Sequence, residues 1–223
     1  MPEPLTFYFD PMCPYAYQTS VWIREVRRQR ELDITWKFFS LEEVNLVEGK
    51  RHPWDRPWSF GFGQMRVGAL IRRELGNDAL DRWYEAVGYA FFSDGLKTHV
   101  PELHERVIVD AGFDGSFVER AIADDTTRTE VRDEHLDAVD RYGAHGVPTL
   151  IVDPDYAVYG PVVVPAPMGD DAVALWELVR SMPRYRLYEL RHPKSHDDVV
   201  SVANHFRTYL TTRDWQTVEN PAP

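Results

Sequence analysis

The residue of this sequence best suited to covalent chemistry is Cys13, the single cysteine of the chain. A thiolate is a strong nucleophile, and its abundance depends on the pKa that the surroundings give the thiol. Pro14 follows the cysteine, and proline is favoured at the first helical position because its missing N–H needs no partner there. We therefore expect Cys13 to cap a helix, where free backbone N–H groups and the helix dipole lower the pKa of the thiol.

The segments around the cysteine predict how it is positioned. Residues 4–9 have the composition of a strand, which the turn signal Asp10-Pro11 ends. Residues 14–30 carry apolar side chains at helical spacing, and residues 33–39 predict a second strand. A strand–helix–strand unit of this length gives two parallel strands with a right-handed crossover. The cysteine then lies just beyond the carboxyl end of the first strand, where ligands of open α/β sheets bind.

A second informative segment is Gly146-Val147-Pro148-Thr149, followed by the apolar run 150–152. Proline is tolerated at the start of a strand, so we expect residues 149–152 to form one. His145 stands just before this segment, and two interpretations stay open. It is either an exposed turn residue or a neighbour of the thiolate that lowers the pKa of Cys13.

Together, these segments resemble the DsbA family of thioredoxin-fold oxidoreductases. The likeness is greatest to the cytosolic actinobacterial branch that includes the mycothiol-dependent nitroreductases. It is carried by residues 9–14, 146–149, 159–162, 169–176 and 185–190.

The resemblance implies an α/β, thioredoxin-like fold with an inserted all-helical domain. It implies a cis Val147–Pro148 bond against the sulfur, with the Val147 backbone offered to a bound thiol compound. Pro14 and Tyr15 would shape the site. The implied cosubstrate is a low-molecular-weight thiol, mycothiol or glutathione.

Ala16 is the main departure from that family, which usually has a second cysteine at this position. Since Cys13 has no other cysteine in the chain to pair with, a disulfide within the chain is excluded. We expect Cys13 to form a mixed disulfide that a second thiol molecule resolves, in the reduction of disulfides or nitro compounds. Two alternatives stay open: a thiol transferase or isomerase of the kappa-class glutathione transferase type, and a non-catalytic binding module. The kappa class typically has serine where this chain has Cys13.

The order of the predicted elements divides the chain into parts. Residues 1–40 and 144–190 are assigned to the thioredoxin-like domain, and residues 41–143 to the helical insertion. The tail, residues 191–223, could pack on the body, swap into a second subunit or have no specific role, so a homodimer stays open.

The loop at residues 48–58 is rich in aromatic and basic side chains. Its tryptophans either cap an edge of the core or form a wall of the substrate cleft, since loops on rigid scaffolds often bind ligands. In the second interpretation Trp54 and Trp58 stack on a flat substrate, and Arg51 or Arg56 holds a carboxylate.

The composition of the chain limits the kinds of molecule that we expect it to bind. A net charge of −11 argues against binding of nucleic acid, and the absence of an 18-residue apolar run argues against a membrane span. His99 and His104 do not have the spacing of a helical metal pair, so we expect neither a metal nor a tightly bound cofactor. One cysteine and no export signal before Leu5 favour the cytoplasm.

Overall fold

A four-stranded sheet forms one layer of the protein. The computed structural model describes residues 2–154, 156–187, 189 and 191–212. The strands are β1 (Glu3–Phe9), β2 (Leu32–Phe38), β3 (Thr149–Asp153) and β4 (Tyr156–Tyr159), in the order β2-β1-β3-β4. β1 and β2 are parallel, whereas β3 is antiparallel to both of its neighbours.

The predicted strand–helix–strand unit is confirmed. Helix α1 (Pro14–Gln29) joins β1 to β2, whose register runs from Glu3 opposite Leu32 to Phe9 opposite Phe38. β1 therefore ends beside the start of α1, at the position that the sequence predicts for the reactive cysteine.

Helices fill the chain between β2 and β3, and the fold is the α/β, thioredoxin-like fold with inserted helices. They are α2 (Leu41–Val44), a 3₁₀ turn (Pro53–Asp55), α3 (Gly61–Leu75), α4 (Asn77–Phe92), α5 (Pro101–Asp110), α6 (Ser116–Ala123) and α7 (Asp125–Tyr142). After β4 come α8 (Gly169–Tyr185), α9 (His196–His205) and α10 (Arg207–Thr212).

One continuous hydrophobic core joins the sheet to the inserted helices. Phe9 of β1 stacks on Tyr84 of α4, with ring centroids 3.9 Å apart, and Trp36 of β2 meets the same tyrosine at 5.7 Å. The helical segment is thus packed on the sheet, and the domain limits given above remain a prediction.

Two aromatic side chains anchor the described part of the C-terminal tail. Phe206 and Tyr209 are buried in a cluster with aromatic residues of α1 and α4. Residues 213–223 of the predicted tail lie outside the described residues, as do Tyr188 and Leu190 of the last family motif. Among the described residues, every helix is too short or too polar to cross a membrane.

Candidate active site

The end of β1 and the start of α1 place Cys13 as predicted. Cys13 is the N-cap of α1, with extended backbone angles, and Pro14 occupies the first helical position. The Ala16 N–H donates a hydrogen bond of 3.4 Å to Cys13 Sγ. The sulfur thus receives one of the N–H groups that a helix start leaves without a backbone partner.

The predicted cis bond is also confirmed, since the Val147–Pro148 peptide is cis. The Cys13 thiol donates to the Val147 carbonyl oxygen at 3.6 Å. The Gly160 N–H donates to the Pro148 carbonyl oxygen at 2.9 Å and ties this bend to the end of β4. The two segments that the sequence singles out therefore meet at the sulfur.

The expectation of a lowered thiol pKa is wrong for this structure. Burial raises the pKa of the Cys13 thiol to about 11, and the nearby Asp10 carboxylate acts in the same direction. The hydrogen bond from Ala16 lowers it, but by less than burial raises it. With Cys13 only 6 % exposed, the loss of hydration outweighs the favourable helix terminus.

Asp10 is the residue of the site that sequence analysis missed, because an Asp-Pro pair after a strand is an ordinary turn signal. Its carboxylate accepts hydrogen bonds from the N–H groups of Met12 and Leu41, both at 2.8 Å. Burial raises the pKa of this carboxyl to about 7, and the charge of Glu42 adds to the effect.

Tyrosine side chains flank the cysteine. Tyr15, one residue into α1, packs both on the cluster around Cys13 and on the cluster around Phe206. Tyr159 of β4 lies near both Cys13 and Tyr15; burial and then the charge of an ionised Cys13 raise the pKa of its phenol. His145 is exposed and packs on the Tyr159 ring, with centroids 4.6 Å apart.

The loop before α3 contributes packing. Trp54 is half-buried and stacks on His52 at 5.0 Å, and Trp58 donates its indole N–H to the His99 carbonyl oxygen at 2.8 Å. Both tryptophans pack against the main core, which the core-edge interpretation expects. Arg56 is buried and pairs with Glu42 at 2.7 Å. A role of these three residues in substrate binding stays a prediction.

The chemistry available at the site is therefore that of one thiol. Ala16 is fully buried beside the sulfur, and Cys13 is a free cysteine. Within the described ranges, no group of three or more histidine, cysteine and acidic side chains is arranged to hold a metal ion.

Comparison with known proteins identifies the family of this chain. The model of the Rv2466c-like family, described as mycothiol-dependent nitroreductase Rv2466c, matches residues 12–192. The chain belongs to this family. Membership places it among the thiol-dependent oxidoreductases.

A curated relative and two solved structures are similar over most of the chain. The relative is the uncharacterised protein Rv2286c of Mycobacterium tuberculosis, 47 % identical over 213 residues, which are 95 % of this chain and 91 % of that protein. A 2-hydroxychromene-2-carboxylate isomerase matches with a TM-score of 0.59 and 18 % identity, over 82 % of this chain and 96 % of the other.

The cytosolic disulfide reductase DsbM of Pseudomonas aeruginosa, solved with glutathione, matches with a TM-score of 0.55 and 15 % identity, over 82 % of this chain and 100 % of that chain. At these identities the two structures establish the thioredoxin-like fold that they share with this chain.

Proposed function

We propose that the protein is a monothiol oxidoreductase in which Cys13 exchanges disulfides with a low-molecular-weight thiol, mycothiol or glutathione. The observation that carries the proposal is the position of the Cys13 sulfur, between the Ala16 N–H at 3.4 Å and the Val147 carbonyl oxygen at 3.6 Å. A thiolate formed there keeps one N–H donor at the helix start and lies beside the backbone of the cis bend.

The reaction we propose begins with two exchange steps. The Cys13 thiolate attacks one sulfur of a disulfide, the S–S bond breaks, and the departing thiolate takes up a proton. A second thiol, as its thiolate, then attacks the mixed disulfide and releases Cys13. These two steps release one thiol of the substrate and join its other sulfur to the cosubstrate thiol in a disulfide. A third exchange, with another cosubstrate thiol, releases the second substrate thiol and leaves the disulfide of the cosubstrate.

Ala16 gives this cycle its particular form. In a dithiol enzyme, a second cysteine would resolve the mixed disulfide from within the chain. Here the resolving thiol has to arrive from solution, so the mixed disulfide persists until it does. Family membership extends the proposed substrates to nitro compounds.

The burial of Cys13 favours a second candidate, a binding module with an unused thiol. A thiol that is 6 % exposed and whose pKa burial raises is typical of a structural cysteine. The two candidates predict opposite outcomes for one experiment.

That experiment measures the intact mass of the protein after incubation with oxidised mycothiol and, separately, with oxidised glutathione. We expect one thiol adduct per chain, removed by excess reduced thiol and absent in Cys13→Ser. No adduct with either disulfide would refute the monothiol cycle and favour the binding module. Binding of reduced thiol without a covalent adduct would point to the transferase.

A further inference from the structure

We propose that Asp10 is a positioning residue for Cys13. Its carboxylate holds together the segments that build the site, and its negative charge opposes formation of the thiolate. The role of Asp10 in catalysis rests on the proposed function. Its effect on Cys13 is tested by alkylation and titration, which do not require turnover.

Hydrogen bonds fix both carboxylate oxygens and the carbonyl oxygen of Asp10 at the end of β1. One carboxylate oxygen accepts from the Met12 N–H and the other from the Leu41 N–H, both at 2.8 Å. Its carbonyl oxygen accepts from the Cys13 N–H at 3.0 Å. One residue thereby links the turn that carries the cysteine to the start of α2.

The packing around the carboxylate adds a third segment. Asp10 is 1 % exposed, and its Oδ1 lies against Gly61 at the start of α3. A Cβ atom on Gly61 would collide with this oxygen, so the carboxylate occupies space that only glycine leaves open. The starts of α1, α2 and α3 therefore converge on one buried acid.

The charges that face Asp10 explain why its ionisation matters. From α2, Glu42 adds a like charge, although Arg56 pairs with Glu42 at 2.7 Å. From α4, Tyr84 contributes a buried phenol, and from the start of α1 comes the Cys13 thiol. Within the described part of the chain, Asp10 accepts only from backbone N–H groups and forms no ion pair.

Asp10 and Cys13 therefore form a coupled pair, in which ionisation of one group disfavours ionisation of the other. While the carboxyl is protonated, a Cys13 thiolate is the single negative charge of the pair. Once Asp10 ionises, a thiolate would be a second negative charge in a site of low hydration. The carboxyl pKa of about 7 puts this change near neutral pH.

The variant Asp10→Asn removes the negative charge with little change of size, although its NH2 group replaces one of the two oxygens that accept from Met12 and Leu41. We expect the midpoint of the pH profile for alkylation of Cys13 by iodoacetamide to fall by about one unit or more, which is about tenfold more thiolate below both midpoints. An unchanged or higher midpoint in a folded variant would overturn the proposal.

The matched control is Asp81→Asn, since Asp81 is also a buried carboxylate, paired with Arg24 at 2.7 Å and Arg27 at 2.6 Å. We expect this variant to lose stability while the alkylation midpoint of Cys13 stays where it is in the wild type. An equal shift in both variants would assign the effect to general loosening and refute the role of Asp10.

A measurement on the wild type keeps the proposal testable if Asp10→Asn fails to fold. The carboxyl ¹³C signal of Asp10, assigned through its backbone, should titrate with a midpoint near 7 and shift again as the thiol ionises. A carboxyl signal that does not respond at the pH where the thiol ionises would overturn the proposal, because the two groups would then be uncoupled. Neither result depends on whether a thiol adduct forms, so failure of the proposed function is recognised separately.

Discussion

The variant Phe206→Ala is predicted to make Cys13 more reactive. Phe206, between α9 and α10, is 4 % exposed and meets the Tyr15 ring edge-on, with centroids 5.8 Å apart. The Lys194 ammonium lies 5.5 Å from the centre of the same ring. Tyr15 in turn packs on the cluster that contains Cys13, so the tail reaches the cysteine through one side chain.

The expected size of the effect follows from how few contacts hold the tail. Removing a buried phenylalanine side chain costs about 3–5 kcal/mol where the surrounding structure cannot relax. Here α9 has no buried residue and α10 has one, Tyr209. Such a segment detaches without unfolding the rest of the protein. The global free energy of unfolding should therefore fall by much less than the roughly 3–5 kcal/mol expected for a buried phenylalanine in a rigid core.

Two measurements on the same samples test this reasoning. Amide hydrogen exchange should show loss of protection over residues 196–212 in Phe206→Ala. Alkylation at neutral pH should accelerate, because detachment hydrates the thiol and each unit by which its pKa falls gives about tenfold more thiolate. Leu210→Ala, at a site on α10 that is 41 % exposed, is the control and should change neither. Lost protection together with an unchanged alkylation rate would refute a link between the tail and the cysteine.

Two further outcomes are expected. Ala16→Cys places a second thiol beside the sulfur, where the Ala16 N–H is 3.4 Å from Cys13 Sγ. We expect an internal disulfide to form and the adduct with oxidised glutathione to stop accumulating. An adduct as persistent as that of the wild type would contradict the geometry. His104 is buried and neutral, with a pKa lowered to about 4 by burial, so the unfolded chain binds its proton near pH 6.5 and the folded chain does not. Stability from this group is therefore lost as pH falls from 6.5 to 4, by roughly 3 kcal/mol, and urea denaturation of His104→Gln should show a flatter pH dependence than the wild type.

Local sequence signals were enough to predict the fold around Cys13. The apolar run before the Asp-Pro turn, proline at the first helical position and the second apolar run define a parallel pair, and these are short-range patterns. The resemblance to the DsbA family then supplied what local patterns cannot, the contact between Cys13 and the distant Val147.

The sequence could not reveal which polar groups the inserted helices bury. Gly61 reads as an ordinary glycine near a helix start, yet its missing side chain makes room for the Asp10 carboxylate. Arg56 reads as a loop cation available to a substrate, and the fold turns it inward to Glu42. Both outcomes depend on contacts between different segments of the chain, which local sequence patterns do not specify.

The direction of the pKa shift at Cys13 could not be predicted from the sequence either, because it also depends on contacts between different segments. An N-cap position lowers a thiol pKa through one or two N–H groups, and this contribution can be predicted from the proline that follows. Burial opposes this contribution by raising the pKa. The side chains that bury Cys13 include Val147, which is distant in the chain, and Tyr15, which also packs on the cluster of the tail. The hydrogen bond from Ala16 is present, but burial dominates. We therefore expect that Cys13 reacts as a nucleophile only when movement of the side chains over it lets water reach the sulfur. The edge-on contact of Tyr15 with Phe206, at 5.8 Å between ring centroids, joins those side chains to the tail.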